Sequence, residues 1–186
     1  MQIQMNLENE SREPEDKTMP LETDPEKTAK LAEQKEDANW RLRCRIKRSD
    51  LSIEEIDAIV HRLYRTIAEQ IDCRRCANCC KAISPLLQPD ECKRLAEHLD
   101  LSTEQFIGDY LVETEDEDGY LFKPGPCPFL SDDSCTIYDL RPEDCRSYPH
   151  LHKDKFVFRV SQAFANTFVC PIVYNVFEAL RKEIRR

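Results

Sequence analysis

A chain of 186 residues with a formal net charge of -9 is long enough to bury one sizeable core and too short for two large ones. The acidic balance argues against a general nucleic-acid binder or a binder of anionic membranes, because phosphate is repelled everywhere except at a local basic patch. Ten cysteines beside only three glycines set the question that remains.

Residues 1–40 carry eleven Asp or Glu against five Lys or Arg, with scattered apolar residues. They read as an acidic, disordered tail with a transient helix around Glu26 to Ala38. The opening MQIQMNLENESREPED lacks a basic start, an apolar run and a small-residue cleavage site, and no later stretch approaches the roughly 18 apolar residues that span a bilayer. The expectation is a soluble, cytoplasmic protein with no membrane partner. Residues 41–50 follow as a basic strand or linker. Around them, Trp40, Leu42, Cys44 and Ile46 alternate with Arg41, Arg43, Arg45 and Lys47, a period of two that suits a strand with one basic face.

The remaining unit, 51–186, opens on a capping-box signature at Ser52 and Glu55. Ile53, Ile56, Val60, Leu63, Tyr64, Ile67 and Ile71 then recur at helical spacing up to Asp72. A second helix is expected from Pro89 through CKRLAEHL, and a third from Ser102, with Gln105 completing its box, to about Tyr110. The acidic ETEDEDG, Glu113 to Gly119, reads as an exposed turn into a short strand, YLFK. Between Pro124 and Pro149 the chain is dense in Pro, Cys, Asp and Arg, which suits an irregular loop. KFVFRV, Lys155 to Val160, alternates as a strand does, and Pro171 to Ile184 closes the chain as an amphipathic helix.

CRRCANCC, Cys73 to Cys80, sets four cysteines in eight residues. In a reducing compartment disulfides do not persist, so metal binding or redox chemistry leads over a cystine framework. Zinc held by thiolates at ~2.3 Å needs sulfurs about 3.7 Å apart, and two intervening residues let a tight turn supply that. Cys73/Cys76 and Cys76/Cys79 have this interval. Cys79 and Cys80 are consecutive, so their side chains diverge, and Cys80 is expected to face a second metal, another cluster atom or the core. Three cysteines at intervals of three also begin a ferredoxin-like pattern closed by a Cys-Pro, and Cys127-Pro128 and Cys170-Pro171 both offer that. Zinc and an iron-sulfur cluster therefore both remain open, while soft thiolates exclude magnesium and calcium. Cys135 and Cys145 bring the candidate metal residues to eight: Cys73, Cys76, Cys79, Cys80, Cys127, Cys135, Cys145 and Cys170. That is enough for two four-thiolate sites, or for one cluster with spare thiols. Cys92, in a helix, reads as a small buried hydrophobe. The four histidines read as structural, and Arg141, Arg146 and Tyr148 as groups that offset thiolate charge.

The CxxCxxCC run, CPFL at Cys127 and CTIYDLRPEDCRSYP from Cys135 to Pro149, with a late cysteine at Cys170, resemble the YkgJ-like cysteine-cluster proteins, described as carrying a zinc- or iron-chelating domain. The resemblance spans roughly Ile71 to Pro171 and implies a compact metal-chelating domain. Many relatives carry glycine after the second cysteine of the run, where this chain has Ala77. Flagellin lysine N-methylase is similar across the same run and supplies an enzymatic alternative. There is no CxxxCxxC for a radical S-adenosylmethionine centre and no glycine-rich nucleotide loop. The reading is a small, helix-dominated α+β domain with short strands around an irregular cysteine-rich metal centre, serving a redox or accessory role. The alternatives are a metal-dependent enzyme and a structural zinc adaptor that recruits a protein partner through its basic strand or acidic tail.

Overall fold

The computed structural model describes residues 20–114 and 118–184, so the first nineteen residues of the acidic segment and part of the acidic turn lie outside it. Ten α-helices run through the described residues: α1 (Pro25–Gln34), α2 (Glu36–Arg48), α3 (Ile53–Ala68), α4 (Cys73–Cys76), α5 (Asn78–Ala82), α6 (Pro89–His98), α7 (Thr103–Tyr110), α8 (Glu143–Ser147), α9 (Phe156–Asn166) and α10 (Pro171–Glu183). Two short antiparallel pairs accompany them. β1 (Leu111–Glu113) meets β2 (Tyr120–Phe122) in the register Leu111↔Phe122, and β3 (Leu130–Ser131) meets β4 (Ser134–Cys135) in the register Leu130↔Cys135. The chain is therefore a small helix-dominated α+β protein.

Local signals explain most of these starts. Ser52 and Ser102 each accept from the amide three residues on while Glu55 and Gln105 reach back, closing both expected capping boxes. Pro89 and Pro171 occupy first helical turns, where the missing N–H costs nothing.

Three segments depart from the sequence reading. Residues 25–34, where only a transient helix within a tail is expected, form a helix that packs on the rest of the chain. Asp24 caps it, and it docks on α10, where Lys35 beyond its end donates to the Tyr174 hydroxyl (2.9 Å) and to Glu178 (2.7 Å). The alternating segment around Trp40 lies in α2, not in a strand, because Leu42 and Ile46, four apart, are the pair that is buried. Its arginines are partly spent on structure: Arg43 donates to the Ser161 hydroxyl (2.8 Å) and Arg45 to the Ile184 carbonyl (2.7 Å). KFVFRV also lies in a helix, α9, which buries Phe156, Val160 and Ala163 at helical spacing and leaves Phe158 exposed. Lys155 precedes it with φ of 61° and caps nothing through its own side chain. The buried carboxylate of Asp57 on α3 instead accepts from the amides of Lys155 (2.6 Å) and Phe156 (2.8 Å).

Packing divides into two apolar bodies. In one, α2, α3, α9 and α10 bury Leu42, Ile46, Val60, Phe156, Val160, Val173, Phe177 and Leu180. In the other, α6, α7, β1 and β2 bury Leu87, Leu95, Phe106, Leu111 and Phe122, joined by Phe129 and Ile137 from the loop that follows. Cysteines sit on both: Cys170 belongs to the first body, while Cys127 and Cys135 pack on the second. The run from Cys73 to Cys80 lies between them, and α4 rests against β4. No helix among the described residues is long and apolar enough to cross a membrane.

Candidate metal centre

Asp72 begins the run by accepting from the Arg74 amide (3.0 Å), which starts the single turn α4. Ala77 then takes a left-handed conformation, φ 47° and ψ 9°, and ends α4 and opens α5 at one residue. Such a conformation costs an L-residue about 1–2 kcal/mol, so the surrounding contacts hold it there. Ala77 is also buried, and its methyl lines the cavity described next.

Cys73, Cys76 and Cys79, three apart across this break, line a small cavity of about 30 Å³ together with Cys170, ninety-one positions beyond Cys79. One side-chain contact brings the two regions together: Asn78 donates from Nδ2 to the Val169 carbonyl at 2.7 Å. The rest of the wall is apolar, including Ile71, Val169 and Ile172. Burial pushes the Cys170 thiol up to about 12, with Cys73 and Cys76 adding to the effect; Cys73 is exposed to solvent, yet its thiol is also raised, by the desolvation of its inner face and by Cys76 and Asp72. Tyr148 enters the same cavity, and its buried hydroxyl has no hydrogen-bond partner in the protein. Burial holds that phenol well above its ordinary range, followed by the thiols of Cys170, Cys79, Cys73 and Cys76.

Cys80 belongs to a different neighbourhood. Its carbonyl accepts from the Cys127 amide at 2.9 Å, and the Cys127 carbonyl in turn accepts from Leu130, whose strand partner is Cys135. Cys145 stands on α8, which is fixed by two bonds to the chain before and within α6: the Asp144 carboxylate accepts from the Leu86 amide (3.1 Å) and Glu91 accepts from the Glu143 amide (2.7 Å). Burial pushes the Cys145 thiol up to about 12, and the next contributions come from Cys127, Cys80 and Cys135. Cys127 and Cys135 are each raised by burial and by Cys80. The consecutive thiols do influence each other: the pair shares its proton unequally, which raises Cys79 and draws Cys80 down to about 6, with Arg141 helping to lower Cys80.

Arg141 lies with its guanidinium 3.5 Å from the centre of the Tyr138 ring and donates to the Tyr138 carbonyl (2.8 Å), which aims its charge toward Cys73, Cys80 and Cys135. Arg146 instead ties loop carbonyls, donating to Asp139 and Arg141. His150 is engaged by Asp144 (3.2 Å) and Ser147 (3.0 Å), and His61 approaches the Lys153 carbonyl; neither lines the cavity. Cys92 is fully buried in the second apolar body, and Cys44 lies on α2 beside Trp40 and Arg41. All ten cysteines are free thiols. Asn78 is the positioning residue that sequence reasoning missed, since nothing in the run announces a bond to a residue so distant.

The donor set fits a soft metal. Cys73, Cys76, Cys79 and Cys170 share one cavity, and the buried Tyr148 O–H there lacks the acceptor that a metal-bound thiolate beside it would supply. As they stand, no three His, Cys, Asp or Glu among the described residues are arranged to hold an ion. A helical scaffold presenting remote thiols to one cysteine run defines a cysteine-cluster protein. Residues 72–165, about half of the chain, match the family model described as "CxxCxxCC: Putative zinc- or iron-chelating domain", and the chain belongs to that family. The matched stretch stops short of Cys170, so the place of that thiol in the cavity comes from the geometry. No curated protein and no solved structure matches the chain.

Proposed function

We propose that this protein is a thiolate-ligated metal-binding protein in which zinc or iron, at cysteines drawn from both ends of the domain, serves a redox or accessory role. The single observation that carries the reading is the convergence of Cys73, Cys76, Cys79 and Cys170 on one cavity from segments far apart in the chain. Cavity size adds a preference. About 30 Å³ suits a single ion, since one water needs ~10–15 Å³ measured the same way. A bound metal would act as a Lewis acid or an electron carrier. The chain's own part is to supply soft donors, to line them with the apolar Ile71, Val169 and Ile172, and to place the Tyr148 O–H and the Arg141 charge beside sulfur that becomes anionic on binding.

The test is protein purified without oxygen and assayed for zinc, iron and acid-labile sulfide, with its visible spectrum. Stoichiometric zinc in a colourless protein supports the accessory role. Iron with a thiolate charge-transfer band, with or without sulfide, supports the redox role. A chain that retains neither metal, and takes up neither when reduced and supplied with it, defeats the reading.

A further inference from the structure

Resting on that reading, we infer that the eight thiols form two separate four-cysteine metal sites, one made by Cys73, Cys76, Cys79 and Cys170 and the other by Cys80, Cys127, Cys135 and Cys145.

Two independent clamps carry the division. The Asn78 side chain grips the Val169 carbonyl and delivers Cys170 to the face of the run that bears Cys73, Cys76 and Cys79; all four thiols line one cavity, and none of the other four does. The Cys80 carbonyl holds the Cys127 amide, and the pairing of β3 with β4 sets Cys135 beside that loop, with α4 resting against β4. Cys145 completes the second group from α8, which Leu86 and Glu91 anchor near its start, while Tyr148 at its end lines the first cavity. The electrostatic neighbours sort the same way. Cys145 feels Cys127, Cys80 and Cys135, whereas Cys170 feels Cys73 and Cys76. Only the consecutive Cys79 and Cys80 have their strongest interaction across the boundary. The first site is an apolar pocket with one unpartnered phenol, and Arg141 acts at both sites, on Cys73 as well as on Cys80 and Cys135.

The experiment uses the full chain, loaded with zinc or purified with its own metal. Metal per chain is measured for wild type and for the double variants Cys73→Ser/Cys170→Ser and Cys127→Ser/Cys145→Ser. Wild type should hold two equivalents, each double variant should keep about half, and the two losses should add up to the whole. Because a variant can fail to fold, the wild-type protein is also alkylated in pulses while a chelator strips the metal, and each cysteine is followed by peptide mass spectrometry. Cys73, Cys76, Cys79 and Cys170 should lose protection together, and Cys80, Cys127, Cys135 and Cys145 should do so as a second set with its own rate. Loss of all metal in either double variant, one common phase for all eight thiols, or sets that mix members overturns the two-site division while leaving metal binding intact. A chain with no protected cysteine and no bound metal sinks the underlying reading as well.

Discussion

Tyr148 offers a test that separates the metal-free chain from a loaded one. Its hydroxyl is buried without a partner, and an unsatisfied buried polar group costs about 1–3 kcal/mol. Tyr148→Phe should therefore leave the chelator-treated protein unchanged or raise its stability by up to about 1 kcal/mol. In the loaded protein the same change removes a donor to metal-bound sulfur, and the expected loss is about tenfold or more in metal affinity. Thermal unfolding and competition with a chromophoric chelator read the two effects, and a matched shift in both states would contradict the argument. Ala77 makes a second test. With φ at 47°, Ala77→Val places a β-branched side chain where it is a steric outlier and should cost about 2 kcal/mol or more. Ala77→Gly trades relief of that strain against a more flexible unfolded chain and should stay within about 1 kcal/mol of wild type in urea unfolding.

Among the elements, α9 depends on a residue ninety-eight positions away in sequence. Both oxygens of Asp57 accept amides at its first turn, and no side chain within that turn can take over. Asp57→Ala should cost about 2–3 kcal/mol in urea unfolding, and Asp57→Asn, which keeps one acceptor, roughly half of that. This same long-range cap explains why α9 was not legible in the sequence. The helices α3, α6 and α7 carry their start signals within a few residues, as Ser52 with Glu55, Pro89, and Ser102 with Gln105, so a local reading finds them. By contrast, α2 and α9 begin in runs whose apolar residues alternate, and only burial in three dimensions selects Leu42 with Ile46, and Phe156 with Val160. Spacing alone picks out eight candidate thiols. That Cys170 shares a cavity with Cys73, Cys76 and Cys79, and that Cys127 lies beside Cys80, was not legible, because the Asn78–Val169 and Cys127–Cys80 bonds join segments that no local pattern links.

The whole molecule consists of two apolar bodies joined through cysteine-bearing segments, with Cys170 rooted in one and Cys127 and Cys135 in the other. A metal that ties the run to Cys170, and another that ties it to the second body, would make the two unfold as one. Calorimetry of loaded protein should thus give a single transition, and chelation should split it in two, with the bundle of α2, α3, α9 and α10 melting last because it buries more apolar side chains without help from the thiols. A single transition of unchanged midpoint after complete chelation would show that the thiols carry no structural load.

Cys79 and Cys80 share a peptide unit, and consecutive α-carbons are held ~3.8 Å apart whatever their side chains do. Any backbone adjustment made to seat one sulfur is therefore passed directly to the residue that bears the other. With both proposed sites filled, whatever the first ion adds to or subtracts from the grip on the second, the second would return in equal measure to the first.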